Sequence, residues 1–228
     1  MAQRDYILRM FEEMSRALAQ VVYHRQIKDY RASHELIDEQ FKQTLGMGSG
    51  FILALPDETL LAMLTTLDTL NVEKCWLIAT LLKAEGDLFE EEQNADKSYY
   101  SYLKACNLFL ETLYILPHNG EIEKSAEIEE LLRKLEEYEL PLRTRQLLFW
   151  YFEYTGRYSK AEEMLFDILD TPETGGEMEC SEEQDEMLKK GEAFYARLLS
   201  KSDVALEAGS FSRAAIKEGL ARLHSVSL

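Results

Sequence analysis

Apolar residues recur three and four positions apart from near the start of the chain. Ile7, Met10, Phe11, Met14, Leu18, Val21 and Val22 form one stripe, which predicts a long amphipathic helix. "IKDY" (27–30) interrupts it, and a second stripe follows through Leu36, Ile37, Phe41 and Leu45. "GMGSG" (46–50) predicts a loop, and Pro56 with the acids of "LPDETLLAML" opens another helix, where they complement its dipole. Asn71 is placed to cap "VEKCWLIATLLKAEGDLFEEE"; a turn at "QNAD" (93–96) leads into "KSYYSYLKACNLFLETLYIL", which Pro117, His118, Asn119 and Gly120 end. Segment 121–139 is acidic yet keeps Ile122, Ile128, Leu131, Leu132, Leu135 and Tyr138 on one stripe, and Pro141 begins the helix that carries "FWYF" (149–152). After Pro172 the pattern predicts an acidic loop over 173–181 and a looser C-terminal hairpin, 181–228, of two helices at 182–208 and 211–225 with Gly209 at their junction. No stretch alternates with period two. The expectation is an all-α chain of about ten helices in a single domain, 1–228.

One stretch shows how such helices would meet. In "YTGRYSKAEEMLFDIL" (154–169), Gly156 can take a left-handed conformation that stops one helix, and Tyr158 starts the next with a ring large enough to plug the turn. Ala161 lets two backbones approach, and Leu165 and Ile168 fill the seam on the same face. Similar sets recur: Tyr30, Ser33 and Ile37; Gly86 and Phe89 with Ser98, Tyr102 and Ala105; and Gly209, Phe211, Ala214 and Ala221. These units resemble tetratricopeptide repeats. The likeness covers about half of the chain, and its turn positions, Tyr30, Ala95, Tyr158 and Phe211, lie 65, 63 and 53 residues apart. A tandem array would space them by about 34. Phe149 stands where the repeat has glycine, and Ser33 and Ser98 replace its small alanine. The resemblance therefore implies a right-handed array of antiparallel hairpins with inserted helices at 57–70 and 121–139. With its "DYILRMFEEM" and "LLKAEGDLFEEE", the whole chain is also similar to an uncharacterised bacterial family of about this length, a likeness that implies no activity.

Charge narrows the partners. The formal net charge of −17 repels phosphate backbones and anionic membrane surfaces, and the densest basic cluster, "RTR" (143–145), is small. No nucleic acid and no membrane is expected, whereas a cationic protein segment fits. The first residues, "MAQRDYILRMFEEM", lack a signal peptide's apolar core, and "FILAL" (51–55) is far too short to span a bilayer. Cys75, Cys106 and Cys180 form no CxxC pair and point to reduced thiols in a cytoplasm.

Candidate chemistry is sparse. His24, His34, His118 and His224 show no metal-ligand spacing, so no metal and no cofactor is expected. Cys75 and Cys106 sit among apolar neighbours as small core residues, Cys180 lies among acids that disfavour its thiolate, and no serine has a nucleophile's context. "GMGSG" follows a helix and lacks the lysine of a phosphate loop, and Glu90, Glu91 and Glu92 point in different directions as a solvated helix end. No catalytic residue is assigned.

The remaining signal is a surface. In the repeat, the first helix of each hairpin lines the concave side. By resemblance this turns Arg143, Gln146, Trp150 and Tyr154 inward, and their spacing puts them on one face. Aromatic and arginine side chains of this kind serve as interface anchors. The competing reading packs Trp150 and Tyr154 against 121–139. The neighbouring unit offers Thr80, Lys83, Asp87 and Glu91 on the same side. Repeats that clamp a terminal carboxylate use a lysine and an asparagine; Asp87 replaces that asparagine and Leu147 another polar clamp residue. The expected function is a non-catalytic, cytoplasmic scaffold that binds a protein or peptide. The alternatives are a self-associating structural protein, a homodimer through Met10, Phe11 and Met14, and a small-molecule sensor or enzyme with an aromatic-lined pocket.

Overall fold

A computed structural model describes residues 2–67, 69–115, 125–170 and 177–226, with side chains over 8–67, 69–115, 125–170 and 184–225. The described residues are mostly helical, and the chain is all-α. Pro117 to Gly120, the acidic segment 121–124, Pro172 and the Cys180 side chain lie outside the described residues.

The chain divides into two compact units. The first contains α1 (Ala2–Gln26), α2 (Tyr30–Leu45), α3 (Ser49–Ala54), α4 (Asp57–Leu64), α5 (Val72–Glu91), α6 (Ala95–Ile115) and α7 (Ala126–Lys134). Ile37, Phe41, Ile52, Leu60, Ile78, Leu81 and Phe109 are fully buried in its core. The second contains α8 (Leu142–Tyr154), α9 (Tyr158–Leu169), α10 (Glu177–Leu199), α11 (Asp203–Ala208) and α12 (Arg213–Val226), built around Leu148, Tyr151, Leu165, Phe194, Tyr195 and Ile216.

Several expected boundaries move. The helix after Pro56 stops at Leu64 instead of running to residue 70, because Thr65–Thr66 and Thr69–Leu70 pair as a short antiparallel ladder, β1 and β2, with Leu67 at φ 50° in the turn. β-branched threonine suits that extended backbone better than a helix. Ser49 and Gly50, expected in a loop, form the first turn of α3, where Asp38 accepts a hydrogen bond from the Ser49 amide at 2.8 Å. α10 begins at Glu177, so the acidic loop expected over 173–181 is helical from 177 onward. The helix expected over 182–208 is cut at Ser202, whose side chain caps α11 by accepting from the Ala205 amide.

Asp57 illustrates how a first-turn acid gains a second task. Its Oδ1 pairs with the buried Lys104 Nζ at 2.6 Å, and its Oδ2 accepts from Asn107 Nδ2 at 2.7 Å. Lys104 also donates to the Leu55 carbonyl at 2.7 Å, so the start of α4 is pinned to α6. The charged amine is buried with two acceptors, the Asp57 carboxylate and the Leu55 carbonyl, to satisfy it.

α1–α2, α5–α6 and α8–α9 each fold back as a hairpin. In α5–α6 the pairing of Cys75 with Leu108 and of Gly86 with Tyr102 runs in opposite directions, so the helices are antiparallel. A Cβ on Gly86 would lie 2.6 Å from the Tyr102 ring, closer than carbon atoms tolerate, so any larger residue there makes the ring or the helices shift. In α8–α9 the Thr155–Gly156 stop forms as expected, with Gly156 at φ 72° and Tyr158 and Ala161 buried. The Gly156 amide returns to Glu153 O at 3.1 Å and the Arg157 amide to Phe152 O at 2.8 Å.

The same pair of return bonds closes three further turns without glycine. Lys28, Gln93 and Ser210 take φ 59°, 60° and 56°, and the residue after each donates to the carbonyl five positions back at 2.8–2.9 Å. Side chains in this region carry a steric cost that glycine lacks. Gln93→Gly is therefore expected to stabilise the first unit by about 0.5–1 kcal/mol. A higher urea midpoint at unchanged slope checks this, and an unchanged or lower midpoint counts against it.

Candidate functional site

The residues singled out from the sequence divide between the units. Arg143, Gln146, Trp150 and Tyr154 belong to α8 of the second unit and are all half-buried, while Arg145, Leu148, Phe149 and Phe152 are buried. Trp150 and Tyr154 lie with ring centroids 5.1 Å apart. Lys83 and Asp87 belong to α5 of the first unit and are engaged within it. Lys83 Nζ pairs with Glu130 of α7 at 2.6 Å. Asp87 receives the Tyr102 hydroxyl at 2.7 Å and Arg25 at 3.1 Å. Of the three α1 residues expected at a dimer face, Met14 is buried and Met10 and Phe11 are half-buried; among the described residues of α1 the large apolar side chains that are exposed include Leu8, Val22 and Tyr23.

Glu90, Glu91 and Glu92 diverge as their spacing requires, but each meets a partner. Glu90 takes Lys134, Glu91 takes Arg25 at 2.7 Å, and Glu92 takes His34 at 2.9 Å. The run is a hub that ties α1, α2 and α7 to α5.

The His34 contact opens onto a cleft of about 700 Å³ in the first unit. α2 contributes His34, α3 contributes Leu53, α5 contributes Glu85 and Phe89 with Glu92 at its C-cap, and α6 contributes Tyr100. This volume is that of small-ligand and side-chain pockets. Glu85 stands out. It is 1% exposed, and its Oε2 has no hydrogen-bond partner among the described residues. Its Oε1 faces His34 Nδ1 at 3.7 Å, while His34 Nε2 meets Glu92 Oε2 at 2.9 Å. The imidazole therefore stands between two carboxylates, one on each nitrogen. A neutral ring donates from one nitrogen only, and the imidazolium donates from both. Glu85 accordingly raises the His34 pKa above its ordinary value; burial opposes this, and Glu92 adds to the rise. The ring also packs on Phe89 with centroids 4.7 Å apart, and Lys97 Nζ lies 5.1 Å from the same Phe89 ring.

Glu85, Phe89 and Glu92 share a helix face by their spacing of four and three. Sequence reasoning passed over them because the acids around Glu90 read as solvated. The available signal was Glu85 itself, a carboxylate set among Leu81, Leu82, Leu88 and Phe89 on an otherwise apolar stripe. His34 gave no signal, since it lies 51 residues away, counted from 34 to 85.

The thiols are set for packing. Burial raises Cys75 to about 11 and Cys106 to about 12, which keeps both protonated. Among the described residues no group of three or more His, Cys, Asp and Glu is arranged to hold a metal ion, and no helix is long and apolar enough to cross a membrane. The cleft offers charge and an aromatic wall: acceptors for a cation, with rings to cover its apolar stem.

Residues 1–227 match a family model described as a family of unknown function, DUF6483. No curated protein and no solved structure matches the chain.

Proposed function

We propose that this chain, which belongs to DUF6483, is a non-catalytic helical scaffold of the cytoplasm, built of tetratricopeptide-like hairpins with inserted helices, that binds a protein or peptide through a cationic side chain. The observation that carries this reading is the buried Glu85 carboxylate, which lines the cleft and has one oxygen without a partner among the described residues. A buried carboxylate without full pairing is costly, and an incoming ammonium or guanidinium removes that cost. Phe89 and Tyr100 supply faces for the aliphatic stem and for cation–π contact. The net charge of −17 draws such a partner in from solution. A second contact face, Arg143, Gln146, Trp150 and Tyr154, is supported by its half-buried aromatic pair.

The test uses the full chain, the one-arginine peptide acetyl-GSRSG-amide and the uncharged control acetyl-GSQSG-amide. Salt is held near 0.15 M, where the screening length of about 8 Å suppresses diffuse attraction to the acidic surface. Amide shift changes are expected only for the arginine peptide and concentrated at the cleft, at His34, Ser49, Phe89 and Asn94. Glu85→Gln should weaken binding by at least about tenfold, as the loss of a charge-assisted hydrogen bond requires. Shifts spread over the whole acidic surface, or an affinity indifferent to Glu85→Gln, would sink the proposal.

A further inference from the structure

Resting on that cleft as a cation site, we infer that His34 is its resident counter-ion, and that a ligand's ammonium or guanidinium takes over Glu85 and sends the imidazolium proton to solvent. The geometry demands an exchange. Glu85 is buried in its own unit, and the His34 ring, packed on Phe89, is its one charged contact among the described residues, 3.7 Å away. A cation reaching Glu85 Oε2 therefore comes to rest beside a positively charged ring that shares the same carboxylate. Two cations on one buried anion repel each other strongly where water is excluded. The mobile charge is the proton. It leaves Nδ1 for buffer, the neutral ring keeps its Nε2–H as the donor to Glu92, and the ligand's N–H groups bond to Glu85. One proton is released, and no covalent bond other than the N–H changes.

The other charged and titratable groups around the ring do not take this role. On its own helix, Glu35 is paired with Arg31 at 2.9 Å, and Asp38 with Lys42 at 2.6 Å. α6 presents Lys97, over the Phe89 ring, and the exposed Tyr100; the α3 wall is Ser49, Gly50, Leu53 and Ala54, without charge. α5 and its C-cap contribute Glu85 and Glu92, the two carboxylates the ring bridges.

Linkage fixes the sign. A ligand that expels a proton binds more tightly as pH rises, and it lowers the midpoint at which His34 titrates. The effect has a ceiling: one released proton changes affinity by about tenfold per pH unit at most.

The experiment follows the His34 ring resonance, assigned with His34→Gln, from pH 5.5 to 9 in the full chain. It is run with acetyl-GSRSG-amide, with butylguanidinium and with butylammonium as probes. Without probe, His34 is expected to titrate above its ordinary value. With probe its midpoint should fall, and the affinity should rise through that interval and level off outside it. In His34→Gln, which retains Glu85, the affinity should be independent of pH. Response to the peptide but not to the free cations identifies a peptide side chain as the occupant, and response to all three a cation recognised by itself; either agrees with the exchange. Cleft binding that stays independent of pH in the wild type overturns the exchange and leaves the scaffold reading standing. Absence of cleft binding by every probe at every pH overturns both.

Discussion

Tyr195→Ala is expected to cost the second unit about 3–5 kcal/mol, the range for removing a fully buried aromatic ring. Tyr195 on α10 is fully buried, and its ring lies 5.1 Å from that of Phe194. Its hydroxyl donates to Glu162 of α9 at 2.6 Å. On the third side, α12 approaches so closely at Gly219 that an added Cβ would collide with the hydroxyl and with Glu162. Alanine therefore leaves a cavity where three helices converge and takes the donor from a half-buried carboxylate. Tyr195→Phe keeps the ring and loses only the hydrogen bond, which places it near 1–2 kcal/mol. Unfolding should be followed by the fluorescence of Trp150 in a Trp76→Phe background, because the two tryptophans lie in different units. A Tyr195→Ala midpoint equal to that of Tyr195→Phe would show that the ring is not the element that joins the helices.

The second large effect concerns Gly86. In an unobstructed helix, glycine to alanine gains about 1 kcal/mol. Gly86→Ala is expected to reverse that sign and cost about 1–3 kcal/mol, the overpacking range, because its Cβ falls 2.6 Å from a Tyr102 ring that is itself buried. The ring cannot retreat freely, since its hydroxyl is held by Asp87 at 2.7 Å. Tyr102→Leu opens the space, so the same alanine should be nearly neutral in that background. The coupling in a double-mutant cycle measures the contact. If Gly86→Ala raises the midpoint in the wild type, close approach does not constrain α5 against α6.

These two sites differ in how far they could be read in advance. Gly86 with Phe89, Ser98, Tyr102 and Ala105 formed a recognisable close-packing set, and the structure buries all five. Gly219 carried no such mark, because the atoms that exclude a side chain there belong to α9 and α10. The turns behave in the same way. Gly156 announced its left-handed backbone, whereas Lys28, Gln93 and Ser210 adopt that conformation against their own preference, and the return bonds of the helix ends hold them in it.

What the chain determined by itself was local. Stripes of three-four spacing set the main helices, Asn71 set the start of α5 by accepting from the Lys74 amide, and Gly156 set the end of α8. Each of these depends on backbone and side-chain energies within a few residues. What only the tertiary structure decided was which charges meet. Lys104 finds Asp57, Arg25 finds Glu91, and His34 finds both Glu85 and Glu92, each across 47 or more positions of sequence. A buried carboxylate is defined by the groups that surround it, and helical periodicity specifies a face without specifying what that face will touch. For that reason the acidic run of α5 read as solvent-facing, and only the packing of α2 and α6 against α5, with α3 beside them, placed Glu85 in the lining of a cleft.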